Sequence, residues 1–271
     1  MTDFRTGGFQ QLPLVVKNLL IINILVFALR YVLSLQGIDL DNSLGLHYWQ
    51  SPLFRWWQPF THMFMHGSIE HIFFNMFALW MFGRILENVW GPRRFLVFYL
   101  ICGLGAALCH MGVLTFEYTR FHNDFMAYQE HPGLLPFIDF IKHHHVSVDM
   151  SSLSGWQSFP DSPGEIRESV DFLNKYYTDM INEATIGASG AIFGLLFAFG
   201  YLFPNTELYI FFIPIPVKAK WVVTGYGLLE LSEGLYNSAG DNIAHFAHLG
   251  GMLFGFILLR LWSKKIRNNF Y

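Results

Sequence analysis

The stretch IGASGAIFGLLFAFGYLF, residues 186–203, runs for eighteen residues without a charged side chain. A helix of about 20 apolar residues crosses the hydrocarbon core of a bilayer. Within the run, Gly190, Gly194 and Ala198 recur at four-residue spacing. That is a small-residue stripe of the kind that lets membrane helices approach closely. Working outward, five more apolar stretches read as spans: Leu19–Leu35, Ile69–Arg84, Phe95–Thr115, Trp221–Leu235 and Ile243–Trp262. Leu208–Pro216, broken by Pro214 and Pro216, reads as an interfacial segment before the fifth. The expected fold is all-α, a polytopic membrane protein with a six-transmembrane-helix bundle over residues 18–262. Residues 1–17 are expected to form a cytoplasmic N-terminal segment and 263–271 a cytoplasmic basic tail.

Composition agrees. Of 271 residues, 53% are apolar and only 14% are charged, with 29 Phe and 8 Trp. Soluble domains carry roughly a quarter charged residues. This excludes an ordinary cytosolic enzyme, a nucleic-acid binder and a disordered chain. The net charge of −3 implies no polyanionic partner. The two cysteines, Cys102 and Cys109, lie in an apolar run and suggest neither a disulfide framework nor a zinc ribbon. Residues 1–17 lack an early apolar region and a small-residue cleavage site, so no cleaved signal peptide is expected.

Basic residues orient the bundle. Arg5, Lys17, Arg84, Arg93, Arg94, Lys218, Lys220, Arg260, Lys264, Lys265 and Arg267 fall on one side. Arg30 and Arg55 fall on the other, with four more spread across 116–185. Both termini are therefore expected in the cytoplasm and the 116–185 loop outside it. The expected setting is a bacterial inner membrane. Arg30 is expected to snorkel from the outer end of span one. The long loop carries His143–His145, which could bind metal but reads more simply as a solvated tract, and a weakly helical stretch near Glu165–Asn182. The aromatic-rich segment 38–67 reads as an interfacial anchor.

Polar groups at membrane depth are costly and point to function. Span four opens with Gly187-Ala188-Ser189-Gly190. Span six carries His245, His248, Gly251 and Gly255, and the last three share one helical face. Two small-residue stripes imply that spans four and six pack directly, bringing Ser189 towards His248. A serine hydroxyl needs such a neighbouring base to become a nucleophile. His245, one turn nearer the outer surface, is the alternative base. On span two, His71 and Asn75 lie four apart on one face and suit a developing oxyanion. Taken singly, each of these groups also reads as a packing or hydrogen-bonding residue of the bundle. No Asp or Glu is an obvious third member. Glu230 and Glu233 read as solvated near the end of span five, and Asp241 lies near the surface before span six. A dyad without an acid is expected, its imidazole oriented by packing against Phe193, with a triad through Asp241 as the lesser alternative.

Together the motifs resemble those of the rhomboid family of intramembrane serine proteases. They are His66, His71-xxx-Asn75, Glu87-xxx-Gly91, Gly187-Ala188-Ser189-Gly190 and Ala247-His248-Leu249-Gly250-Gly251, in that order and on the matching spans. The likeness covers roughly Trp56–Leu114 and Ile186–Leu261. It implies a six-helix core with an active site open to the extracytoplasmic side. It implies Ser189 as nucleophile and His248 as general base. His71, Asn75 and the Ser189 backbone N–H would form the oxyanion hole. Glu87 and Gly91 would be structural, and Gly187, Gly190, Gly194, Phe193, Gly251 and Gly255 would support the site. Where many members have Trp-Arg in the first outside loop, this chain has Trp57-Gln58, and Phe193 stands where some members have Tyr.

The resemblance implies hydrolysis of peptide bonds in or near transmembrane segments through an acyl-enzyme. The partners would be transmembrane protein substrates and the lipid bilayer, with no nucleic acid, no metal and no cofactor. Because a spanning helix pairs all its backbone groups, substrates that unwind easily should be preferred. Water must reach the dyad through a hydrophilic cavity lined by His66, His71, Asn75, Ser189 and His248. By the same resemblance, span five and the loop Asn237–Asn242 are candidates for a lateral gate and a cap. A zinc peptidase would need His-Glu-x-x-His, which is absent. An aspartyl protease would need two intramembrane Asp residues, which the spans lack. The haem alternative would use His71 and His248 as paired ligands. The remaining rival is a catalytically inactive relative that binds transmembrane segments.

Overall fold

A computed structural model describes residues 12–160, 162–209, 215–236 and 244–268. Asp241, the loop Asn237–Asn242 and most of the 1–17 segment lie outside the described residues. Helices dominate: α1 (Leu14–Ser34), α2 (Ile69–Trp90, with one π turn at Leu79–Gly83), α3 (Pro92–Glu130), α4 (Leu134–His143), α5 (Pro163–Asn182), α6 (Ser189–Leu202), α7 (Ala219–Tyr236) and α8 (His245–Asn268). Between α6 and α7, Glu207–Leu208 pairs antiparallel with Val217–Lys218.

Among the described residues, four helices are long and apolar enough to cross a membrane: α1, α2, α3 and residues His245–Ser263 of α8. The expected fourth and fifth spans are shorter or more polar. Helix α6 has 14 residues because the chain turns sharply at Gly187 before the helix starts at Ser189. Helix α7 has 18 residues and is diluted by Lys220, Glu230 and Glu233.

Local chemistry sets the helix ends. The Glu87 carboxylate is buried, and its two oxygens accept the backbone N–H groups of Val15 and Val16 at 3.0 and 2.8 Å. The first turn of α1, whose N-cap is Pro13, thereby receives acceptors for two otherwise orphaned donors. Gly91 takes φ +78° to end α2, and Pro92 starts α3. Arg30 is paired with Asp41, its Nε donating to Oδ1 at 2.7 Å, where snorkelling alone was expected. Gln58 organises the 42–58 loop: its Oε1 accepts the N–H groups of Arg55 and His47, and its Nε2 donates to the Leu53 carbonyl.

The bundle is held together by backbone-to-backbone contact between α6 and α8, with α3 packed against both. A Cβ at Gly251 would lie 1.9 Å from the Gly190 carbonyl oxygen. One at Gly194 would lie 3.1 Å from the Gly251 oxygen, and one at Gly255 would lie 3.3 Å from the Gly194 oxygen. The two small-residue stripes thus face each other.

The 116–185 segment differs from the expected loop. Helix α3 continues without a break to Glu130, because Tyr118, Phe121, Phe125 and Tyr128 keep one apolar face after the lipid-facing composition ends. Helices α4 and α5 fold back on that face. Phe137, Phe140, Trp156 and Leu173 join it in a second, separate hydrophobic core. This cap is tied to the bundle by the Tyr118 hydroxyl, which donates to the Met180 carbonyl at 2.9 Å, and by the Leu46–Thr185 bridge.

Candidate active site

Ser189 is the first residue of α6, and no side chain caps that helix, so its first-turn amides remain available as donors. His248 lies one turn into α8. The Gly190–Gly251 contact brings these two helix ends together, and His248 Nε2 stands 2.8 Å from Ser189 Oγ. Phe193, one turn after Ser189, stacks on the imidazole with ring centroids 4.2 Å apart and planes 6° from parallel. His245, the alternative base, points elsewhere: its Nδ1 lies 2.7 Å from Glu230 Oε2.

The environment of His248 corrects one expectation. Glu230 is buried, and its Oε2 lies 2.8 Å from His248 Nδ1. The imidazole has a carboxylate partner as well as its stacking contact. A sequence signal existed, since Val222, Val223 and Glu230 fall on one helical face of α7 and all three are buried. Reading a charged residue near a span end as solvated concealed it.

Helix α2 supplies the opposite wall. Ser68 caps it by accepting the His71 N–H at 3.1 Å. His71 Nδ1 accepts a long bond of 3.5 Å from the Gly67 N–H, leaving the Nε2 proton free to donate. Gly187, at φ +140°, separates His71 from the serine. A Cβ there would lie 2.9 Å from His71 Nε2 and 3.5 Å from Ser189 Oγ, so only glycine fits. Asn75 is buried, and its Nδ2 has no hydrogen-bond partner among the described residues.

A crevice of about 1620 Å³ joins His71, Asn75, Ser189 and His248 to Arg120, His143 and Tyr176 of the cap. His66 was expected to line it but does not. It is fully buried and meets the His71 ring edge-on, with centroids 5.0 Å apart.

Among the described residues, two side-chain groups bring metal-ligating atoms close together, Glu230–His245–His248 and Asp124–His143–His144. The ligand atoms of a tetrahedral zinc stand roughly 3.3 Å apart. In the first group both Nδ1 atoms sit within 2.8 Å of one oxygen, which is hydrogen-bond spacing. In the second, His144 bonds Asp124 at 2.9 Å and the Arg120 guanidinium bonds His143 Nε2, placing a cation against the site.

Comparison with known proteins agrees with the motifs. The rhomboid domain family matches residues 53–119 and 170–265, more than half of the chain. The protein belongs to the rhomboid family. The match omits most of the cap. "RHOMBOID-like protein 12, mitochondrial" of Arabidopsis thaliana is 26% identical over 88% of this chain and 55% of its own length. "Rhomboid protein 1, mitochondrial" of Saccharomyces cerevisiae is 24% identical over 86% of this chain and 64% of its own. "Rhomboid protease GlpG" of Klebsiella pneumoniae is 35% identical over 32% of this chain and 30% of its own. The chain spans about half to two thirds of the length of the mitochondrial relatives. These relatives correct the expected setting: matches that extend over most of the chain include mitochondrial proteins and a chloroplastic one of Arabidopsis thaliana, which points away from a bacterial inner membrane.

Proposed function

We propose that the protein is an intramembrane serine endopeptidase that hydrolyses peptide bonds in or near transmembrane segments of other membrane proteins. We further propose that α6 and α7 complete a six-span bundle with the four longer helices. The single observation that supports the enzymatic reading most is the 2.8 Å approach of His248 Nε2 to Ser189 Oγ, at the floor of a crevice.

In this reading Ser189 Oγ attacks the scissile carbonyl while its proton passes to His248 Nε2. The tetrahedral oxyanion forms against the Ser189 backbone N–H, His71 Nε2 and the unpartnered Asn75 Nδ2. Donors aimed where charge develops act strongly in a water-poor site. The start of α6 adds the positive end of a helix dipole. Collapse of the intermediate breaks the peptide C–N bond, and His248 returns the proton to the leaving amine. Water entering by the crevice then hydrolyses the acyl-enzyme with His248 as base again.

Cleavage of a single-span substrate in liposomes tests this reading, alongside fluorophosphonate labelling. Wild type should cleave and label, whereas Ser189→Ala and His248→Ala should do neither. A folded wild-type protein that neither cleaves nor labels identifies a non-catalytic rhomboid. Full cleavage by Ser189→Ala assigns the chemistry to another residue.

A further inference from the structure

The Glu230 carboxylate accounts for something that stacking on Phe193 does not. A ring stacked on one parallel face can still flip by 180° and exchange its two edges. It can also carry its proton on either nitrogen. Only one of these states accepts a proton from serine: Nδ1 protonated, with a lone pair on Nε2 facing Ser189. An ionised carboxylate can only accept hydrogen bonds. With Glu230 Oε2 at 2.8 Å from His248 Nδ1, the flip and the tautomer are both selected.

The same oxygen lies 2.7 Å from His245 Nδ1, so two imidazole N–H groups converge on it from one face of α8. A buried carboxylate is stable only when its acceptors are satisfied. His245 therefore supplies part of what keeps Glu230 buried and aimed. Glu233, more than half exposed, is 3.6 Å from His245 Nδ1 and plays a lesser part.

We infer that Glu230 is a positioning residue that converts the Ser189–His248 pair into a serine–histidine–glutamate relay, and that His245 is the second donor locking the carboxylate in place. This deepens the protease reading above and rests on it. During attack one proton moves, from Ser189 Oγ to His248 Nε2. The Nδ1 proton stays on the ring, and Glu230 remains ionised, opposing the positive charge that the ring acquires.

The test compares wild type with Glu230→Gln, Glu230→Asp and His245→Gln, using a transmembrane model substrate in liposomes. Proton NMR of the full chain in micelles follows the downfield N–H of an imidazole bonded to a carboxylate. Thermal unfolding checks the fold. Glu230→Gln keeps the side-chain volume and should lower kcat by ~100-fold or more, with KM little changed and folding intact. The downfield signal of His248 should vanish with it, while that of the His144–Asp124 pair persists. Glu230→Asp should restore part of kcat, and His245→Gln should cost less than Glu230→Gln. Wild-type turnover in Glu230→Gln overturns the inference. So does a loss that only tracks the unfolded fraction, because Glu230 is then a packing residue. A wild type that shows the Glu230-dependent signal but neither cleaves nor labels sinks the protease reading while supporting the positioning role.

Discussion

Replacing Gly251 by alanine puts the α6–α8 contact under a direct test. The added Cβ would lie 1.9 Å from the Gly190 carbonyl oxygen and 2.8 Å from its carbon, and both are backbone atoms that no rotamer change can move. Ordinary contact begins near 3.4 Å, so the helices must separate locally by about 1.5 Å. Overpacking of this kind costs ~1–3 kcal/mol. The catalytic effect should be larger than the stability effect. Ser189 adjoins Gly190, and His248 lies one turn before Gly251, so separation stretches the 2.8 Å Ser189–His248 hydrogen bond to about 4 Å. Misplacement by ~1 Å can cost about 100-fold in rate. The assay is turnover of a single-span substrate, with thermal unfolding recorded on the same preparation. Gly112→Ala serves as the control, since a Cβ there meets nothing within 4 Å. Gly251→Ala turning over close to the wild-type rate would refute the claim that this contact sets the site geometry.

Three further outcomes are expected. Glu87→Ala removes both acceptors from the first turn of α1 and should destabilise by ~1–3 kcal/mol, read as a lower unfolding temperature with the retained activity of the folded fraction unchanged. Phe193→Ala removes the ring stacked on His248 and should lower kcat with little loss of fold, whereas Phe193→Tyr should retain turnover. Burial holds the His144 pKa below its usual 6.5, against the opposing pull of Asp124 and with help from His143 and Arg120. The unfolded cap therefore binds a proton there more readily than the folded one. The stability this histidine contributes is present above about pH 6.5 and is lost as pH falls below it. Faster amide exchange across residues 134–143 on acidification, abolished in His144→Gln, checks this.

The parts of the site readable from sequence are those governed by local periodicity. The 186–203 run, the glycines four apart on α6 and α8, and the Ser189, His248, His71 and Asn75 positions all follow from helical spacing and from the cost of polar groups in lipid. What escaped depends on tertiary context. Glu230 looks solvated until His245 and His248 of another helix turn towards it. His66 precedes the Ser68 cap, so helical spacing from His71 says nothing about where it points. The cap was hidden because Glu117, Arg120 and His122 end the hydropathy signal of span three, while the every-third-or-fourth apolar pattern of α3 continues beyond them. A change from lipid-facing to amphipathic composition does not end a helix. The start of α6 at Ser189 was set by the strained turn at Gly187, which a window average blurs.

The 39 residues of α3 have a consequence for reach. At 1.5 Å per residue the helix is about 58 Å long, nearly twice the hydrocarbon thickness. One unbroken rod therefore floors the cap and flanks the serine. Bending the part of α3 that floors the cap would require breaking main-chain hydrogen bonds in the middle of that rod. Under the proposed peptidase reading, that helix would act as a fixed ruler between the cap and Ser189, gauging the depth at which a passing polypeptide meets the serine.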